Sequence, residues 1–386
     1  MRHMLKNHSA VKALALTTVS FFIPLNSSTT CYASEASTVV RPPHIVFINP
    51  STPSGAPFWS AYTGFMKAAA DDLGIELEVL YAGNDRGRNY SLAREALKRE
   101  HKPDYLIHTY AAGQGLRTLA AANSANVPSV VVNTDISADE LKRSGLPGEK
   151  YPLWLYHLSV DDQDAGYQLA DYLIRKRGAL HDTELNTAQV LAINGKADSS
   201  ASIFRLFGLQ QAIAEHDVQL MQQVHSTWTA ADASSKLPLL LARHPQSSIV
   251  WCASDSLALG ATESLKSLGK VPGVDVLVGG IDGLHGIESK IRSGAISASI
   301  SGHFMGGAWA LILVHDYHNG LQKSSFERQH RVKMQLISPE NLSIYEPVLL
   351  PQNWSLIDFR KFSKLYHNES EQYEFSMDAA LKYLDK

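Results

Sequence analysis

The 386-residue sequence contains only two cysteines, Cys31 and Cys252. Cys31 lies in an N-terminal segment that we predict to be removed, which leaves the mature chain without an internal disulfide. An exported chain of this length can depend on hydrophobic cores in place of disulfides. Cys252 lies within an apolar run, so we predict that it is a buried and unreactive thiol.

The chain also has little net charge and no long basic run. Its formal net charge is −3, and 19% of its residues are charged. Binding to nucleic acid requires a concentrated positive patch. The composition therefore argues against nucleic acid as a partner, and the length allows two domains that each bury a core.

Long hydrophobic runs are absent beyond the N-terminus. There, three basic residues precede an apolar run from Ala13 to Leu25, and a polar stretch ending at Ala33 follows. The run is short for a bilayer span, and this order of segments is typical of a secretory signal peptide. We predict that residues 1–33 are cleaved after about Ala33, and an uncleaved anchor is the alternative.

Several catalytic motifs are missing. Gly113 and Gly115 follow a predicted strand, but Thr118 occupies the position of the third glycine in a dinucleotide-binding fingerprint. The sequence has neither a Gly-Lys-Ser/Thr phosphate loop nor a Gly-x-Ser-x-Gly nucleophile elbow. With no nucleophile–base pair and no metal-ligand cluster, we predict a protein that is not an enzyme and has no cofactor and no metal.

From His44 onward the sequence alternates between short apolar strands and amphipathic helices. Such repetition predicts parallel sheets joined by right-handed crossovers. The strands fall into two blocks, which predicts an α/β protein with two Rossmann-like lobes joined by a hinge. The predicted strands are 45–48, 77–81, 105–109, 129–133, 155–160, 189–193, 224–228, 249–253, 276–281 and 298–301.

These blocks define a predicted domain organisation. Residues 40–161 form the first lobe, to which residues 302–335 return, and residues 162–301 form the second lobe. The return begins at a glycine-rich interruption around His303. Residues 336–386 form a tail with several prolines and aromatic residues, for which two roles are open: packing on the body, and contact with a partner.

The strands at 249–253 and 276–281 organise the candidate site. Both are continuous apolar runs, as strands buried on two faces require. The first is followed by Ser254 and Asp255, and the second by Asp282. Ligands of open α/β sheets bind beyond the carboxyl ends of the strands. We therefore predict that these three side chains face one cleft, although Asp255 is alternatively the N-cap of the next helix.

Other strand ends and strand-to-helix loops carry aromatic, amide and guanidinium groups. Aromatic faces stack on sugar rings, and polar groups of these kinds bind hydroxyls, so the set predicts a polyhydroxylated ligand. The alternatives are core positions for the tryptophans and a surface ion pair for the arginine. The candidates are Phe58, Trp59, Asn133, Thr134, Arg205 and Trp228.

In their order and spacing these motifs resemble the type I periplasmic binding proteins of the ribose- and galactose-binding group. The resemblance covers about residues 44–335. Trp228 falls where the family places a stacking aromatic residue. The matching segments are Gly55–Trp59, Val127–Thr134, Arg205–Leu209, Ser254–Ala261 and Gly280–Gly283.

The resemblance implies a monomeric periplasmic protein that binds a sugar-like small molecule between its lobes. It implies a membrane partner, either an ABC permease or a membrane sensor such as a kinase or cyclase. The sequence departs from the family where Asn133 and Thr134 replace an Asp-Arg pair, and where Ser254 replaces an asparagine. His303 stands where the ribose-binding proteins have a glutamine, so it joins the candidate ligand-binding residues.

Overall fold

The computed structural model describes residues 41–111, 113–180, 188–216, 218–321, 328–367 and 372–384. The predicted signal peptide, residues 1–33, lies outside the described residues. None of the helices in these ranges combines the length and the hydrophobicity that crossing a bilayer requires.

The described residues form twelve strands, arranged in two six-stranded sheets. The strands are β1 His44–Asn49, β2 Glu76–Tyr81, β3 Tyr105–Thr109, β4 Ser129–Val132, β5 Trp154–Val160, β6 Ala188–Asn194, β7 Val218–His225, β8 Ile249–Cys252, β9 Leu277–Asp282, β10 Ala298–Ser301, β11 Gln329–Val332 and β12 Gln335–Ile337.

Each sheet has the strand order of an open, doubly wound α/β lobe. The first sheet runs β11-β5-β4-β3-β1-β2, and the second runs β12-β10-β9-β8-β6-β7. Among the described strands only β12 pairs antiparallel. The order reverses between β1 and β3 in the first sheet and between β6 and β8 in the second, and ligands bind at such switch points. The prediction of two parallel α/β lobes is confirmed.

Helices cover the faces of both sheets. They are α1 Pro57–Leu73, α2 Arg86–Ala96, α3 Gly115–Ser124, α4 Ala138–Ser144, α5 Asp162–Leu180, α6 Ser200–Glu215, α7 Ala230–Arg243, α8 Asp255–Ser267, α9 Ile287–Arg292, α10 Gly306–His318, α11 Leu342–Leu349 and α12 Met377–Lys382.

Helix α1 shows how the local sequence sets an element. Pro57 occupies its first position, where a missing N–H costs nothing, and Gly74 ends it at φ 66°. Its buried face, which includes Phe65 and Met66, packs against α10. Helix α10 is apolar on all sides and is buried nearly throughout, as such a helix must be.

The chain crosses between the lobes three times. It passes from β5 to α5, from β10 to α10, and from β11 in the first sheet to β12 in the second. The predicted boundary between the returning segment and the tail, after residue 335, falls within β12, which pairs with β10 of the second sheet. The sequence did not predict β12, because a three-residue strand at a sheet edge has too little pattern to be recognised.

The C-terminal tail packs against the body. Trp354 and Phe359 lie in 3₁₀ turns that contact α1 of the first lobe. Helix α11 contacts α9 of the second lobe, where Arg292 pairs with Glu346 at 2.5 Å. Of the two roles left open by the sequence, packing on the body is the one that the structure shows.

Candidate functional site

A cavity of about 480 Å³ lies between the strand ends of the two sheets, within the range of roughly 300–1,000 Å³ typical of small-molecule sites. Trp59 lines it from the first lobe and Trp228 from the second. Both are partly buried, so neither is simply a core residue. Other lining residues are Asn84, Arg86, Asn89, Tyr110, Thr134, Asp135, Glu140, Lys196, Asp198, Ile203, Phe204 and Phe207.

Next to the cavity lies a buried polar cluster centred on Arg205. Its Nε donates to Asp162 Oδ1 at 2.7 Å, and its Nη1 donates to the carbonyl oxygen of Ala253 at 2.7 Å. Its Nη2 lies 3.2 Å from His303 Nε2, and its Nη1 lies 3.5 Å from Asp282 Oδ1. Arg205 is only 4% exposed. The surface ion pair considered for it is therefore wrong, since its pairing is internal.

Helix α6 brings Arg205 to this position through close helix packing. A Cβ atom on Gly208 would lie 1.9 Å from the carbonyl oxygen of Gln163, and one on Gly166 would lie 2.0 Å from that of Arg205. Glycine at both positions lets α5 and α6 approach closely. The same approach brings Asp162, at the start of α5, to the guanidinium of Arg205.

Phe58 lies between the cluster and the cavity. Its ring stacks on His303 with centroids 4.5 Å apart and an angle of 20° between the planes. It also contacts Trp59, with centroids 5.1 Å apart in an edge-to-face arrangement. Phe58 and Trp59 thus connect the wall of the cavity with the polar cluster. The residues of the cluster do not themselves line the cavity.

Three of the candidate residues have left-handed backbone conformations. Asn133 has φ 62°, Trp228 has φ 66° and Asp282 has φ 146°. Such conformations cost on the order of 1–3 kcal/mol each for residues other than glycine, and they concentrate at ligand sites. The prediction that Trp228 ends a strand is wrong, because β7 stops at His225 and Trp228 lies in the following turn.

The indole of Trp228 fits over Gly195. A Cβ atom on Gly195 would lie 1.9 Å from the ring, so glycine is required at this point. The guanidinium of Arg205 lies 5.9 Å from the same ring. Trp228 therefore contributes both to the cavity wall and to the border of the polar cluster.

Asn133 and Thr134 follow β4 at the edge of the first sheet. The hydroxyl of Thr134 accepts from the N–H of Tyr110 at 2.6 Å and donates to the carbonyl of Val132 at 3.2 Å. Thr134 lines the cavity with its hydrogen bonds already made to the backbone. The buried Oδ1 of Asn133 has no hydrogen-bond partner among the described residues, but Asn133 does not line the cavity.

The prediction that Ser254 and Asp255 face the cleft is wrong. Ser254 is the N-cap of α8 and accepts from the N–H of Leu257. The Oδ2 atom of Asp255 accepts from the N–H groups of Gly283 and Leu284 at 2.8 and 3.0 Å, and Asp255 is completely buried. Asp255 therefore braces the turn after Asp282, because the first turn of α8 directs its side chain toward that backbone.

Burial sets the protonation of the cluster. It raises the pKa of Asp282 to about 7, although the adjacent Arg205 acts in the opposite direction. It also raises the pKa of Asp255 to about 7, with the charge of Asp282 as a second cause. For His303, burial and the positive charge of Arg205 lower the pKa to about 3. His303 is therefore neutral near pH 7.

Replacing His303 with glutamine is expected to weaken the pH dependence of stability. The unfolded chain binds a proton at His303 below about pH 6.5, whereas the folded protein does not until about pH 3. The residue's contribution to stability is thus present above pH 6.5 and is lost as the pH falls. In His303→Gln, the difference in unfolding free energy between pH 7 and pH 5 should shrink by about 2 kcal/mol.

Urea denaturation at the two pH values measures this difference. A proton NMR titration of the wild-type imidazole, which should show no titration of His303 between pH 8 and pH 5, provides an independent check. A variant whose stability falls with acid as steeply as that of the wild type would contradict the assignment.

Two parts of the site were not predicted. Asp162 lies two residues after the end of β5, so the rule that ligands bind beyond strand ends was sufficient to find it. Arg86 and Asp198 form an ion pair at 2.7 Å across the cavity mouth, which joins the two lobes. Nothing in the local sequence links residues 112 positions apart. In the described ranges, no group of histidine, cysteine or acidic residues has the arrangement of a metal site.

Comparisons with known proteins identify the family of this chain. Residues 45–317 match the family model for the periplasmic binding protein domain. The chain is 26% identical to the ribose import binding protein of Escherichia coli strain K12 over 245 residues, which cover 64% of this chain and 75% of that protein. It is 23% identical to the D-allose-binding periplasmic protein of the same strain, with the same coverage of both chains.

A solved structure extends the match. The crystal structure of a periplasmic sugar-binding protein from Pseudomonas fluorescens superposes with a TM-score of 0.79 at 30% sequence identity. The superposition covers 88% of this chain and 99% of that one. Because the family model spans well over half of the chain and the fold has the same two sheets, the chain belongs to the periplasmic binding protein domain family.

Proposed function

We propose that the protein captures a small polyhydroxylated molecule, a sugar or a sugar-like compound, in the periplasm and presents it to an ABC importer. The observation that carries this proposal is that Trp59 and Trp228 line one cavity from opposite lobes. Two relatives are named as ribose- and allose-binding proteins, which supports the same class of ligand.

The two lobes supply complementary parts of the site. Trp59 and Trp228 stack on the ligand ring from the two sides of the cleft. Arg205 and Asp282 bind ligand hydroxyls once Phe58 moves away from His303, since both contact His303, on which the ring of Phe58 stacks. Ser254 and Asp255 support the site without touching the ligand.

Ligand binding favours the closed form because neither lobe has a complete site. Shifting a population from 1:99 to 99:1 requires a preference of about 5.5 kcal/mol for the closed state. A micromolar affinity corresponds to a binding free energy of about 8 kcal/mol, so closure is energetically feasible. In this proposal the first lobe comprises residues 40–161 and the returning segment up to β11, and the second lobe comprises residues 162–301 and β12. The protein acts as a monomer after its signal peptide has been cleaved.

The importer is the proposed partner rather than a membrane sensor. One of the two roles left open for the aromatic tail is contact with a dedicated partner, such as a sensor. Phe359 and Phe362 of that tail are buried against the body, so they are not available to another protein. These two rings of the tail thus give the sensor no support.

Thermal-shift screening against sugars, polyols and sugar acids tests the proposal, because a ligand that binds only the folded protein raises its melting temperature. Calorimetry with the best ligand should then show that Trp228→Ala lowers affinity by about tenfold or more, equivalent to at least about 1.4 kcal/mol. Tyr366→Ala, which removes an exposed aromatic ring from the tail, serves as the control. If no compound shifts the melting temperature, or if Trp228→Ala binds as tightly as the wild type, the proposal is wrong.

A further inference from the structure

The cavity continues beyond the two tryptophans toward an apolar surface on α6. Ile203, Phe204 and Phe207 line it together, and their spacing places them on one side of the helix. The rings of Phe204 and Phe207 are in edge-to-face contact, with centroids 6.1 Å apart. This surface is distinct from the side of α6 that buries Arg205 and Leu209.

Packing of the fold does not account for this surface. Ile203 is 39% exposed and Phe207 is 47% exposed, so they add little to the core. Large apolar side chains exposed at the wall of a ligand cavity are typical of a surface that a ligand covers. They adjoin the space between Trp59 and Trp228, so a single ligand can reach both regions.

Two ion pairs match charges around this part of the cavity within the protein, and Lys196 also lines the cavity. Arg86 pairs with Asp198 at 2.7 Å, and Asp135 pairs with Arg331 at 3.2 Å. Glu140 accepts from a backbone N–H at 3.0 Å. A charged ligand group would compete with these partners, whereas a neutral apolar group would not.

One polar group on the opposite wall is suited to a neutral ligand. Asn89 lines the cavity from the first lobe, and its buried Oδ1 has no hydrogen-bond partner in the described part of the chain. A buried acceptor without a partner is unfavourable until something donates to it. A ligand hydroxyl is such a donor and carries no charge.

We propose that the natural ligand is a glycoside, whose sugar lies between Trp59 and Trp228 and whose uncharged apolar or aromatic aglycone packs on Ile203, Phe204 and Phe207. This inference rests on the proposed function and specifies its ligand class. The aglycone covers the exposed rings of α6 when the lobes close, which adds apolar burial that a free monosaccharide lacks.

Calorimetry with matched probes tests the inference. For a sugar identified by thermal shift, its phenyl glycoside should bind at least about tenfold more tightly than its methyl glycoside, a difference of about 1.4 kcal/mol. In the double variant Ile203→Ala/Phe207→Ala this ratio should fall to about one. Both positions are exposed, so these substitutions should leave folding nearly intact.

Leu239→Ala is the matched control, since Leu239 is 61% exposed on α7 and does not line the cavity, and it should keep the wild-type ratio. A phenyl glycoside that binds no tighter than the methyl glycoside overturns the aglycone surface alone. So does a preference that persists in the double variant, or a uronic acid that binds more tightly than the phenyl glycoside, as Lys196 at the cavity wall would favour. Failure of every sugar and glycoside to bind overturns the proposed function as well.

Discussion

Replacement of Arg205 by methionine is expected to lower the free energy of unfolding by about 3–5 kcal/mol, the range found when one partner of a buried ion pair is removed. Methionine keeps an apolar chain of comparable length but leaves the buried carboxylates of Asp162 and Asp282 without their cation. Asp162 and Arg205 are almost completely buried, so water cannot replace the lost partner. Urea denaturation of the unliganded protein measures the change.

Two further variants make this test specific. Arg86→Met breaks the Arg86–Asp198 pair, which is exposed, and should change stability by less than about 1 kcal/mol. Adding Asp162→Asn to Arg205→Met removes one stranded carboxylate and should recover part of the loss. A single Arg205→Met variant within 1 kcal/mol of the wild type would show that the cluster does not stabilise the second lobe.

Replacement of Phe359 by alanine is expected to lower the free energy of unfolding by about 3–5 kcal/mol, as for other fully buried phenylalanines. The ring of Phe359 lies 5.3 Å from that of Phe65 and 6.3 Å from that of Phe362. Alanine would leave a cavity where the tail meets α1. Because Phe359 is completely buried, its whole side chain contributes to the free energy of unfolding that is lost. Urea denaturation again provides the measurement.

Leu356→Ala is the matched control from the same tail. Leu356 is 49% exposed, so its truncation should change stability by about 0.5 kcal/mol or less. If the two variants lose the same stability, the tail is not part of the core. If they differ as expected, the tail is part of the core. Truncating the chain near residue 351 would then disturb folding, so it is not a test of whether the tail binds a partner.

The tail is also attached to the body by a buried polar contact. Asp316 of α10 accepts from the backbone N–H of Lys364 at 2.7 Å and from the hydroxyl of Tyr373 at 2.9 Å. Asp316 is 1% exposed, so these bonds are shielded from water. Together with the contacts of α11 on the second lobe, they make the tail a structural connection between the two lobes.

Most of the fold was predictable because each element carries its own signal. The runs at 249–253 and 276–281 are short and apolar throughout, as strands buried on both faces require. Helix α1 has a proline at its start, a glycine after its end and apolar residues at helical spacing. These signals depend on residues that are close in sequence, so they can be read from one sequence alone. Strands β11 and β12 were not predicted, because strands of four and three residues at sheet edges carry no such signal.

The site divides in the same way. From the sequence alone, the chain's α/β class and its two lobes were determined, since both follow from local periodicity. Only the tertiary structure decided that Asp282 borders the polar cluster while Asp255 braces a turn, although both follow apolar strands. The same holds for Arg205, whose partners Asp162, Ala253 and His303 lie 43, 48 and 98 positions away. The physical reason is that the direction of a side chain at a strand end depends on which distant segment of backbone packs beside it. The local sequence does not specify that segment.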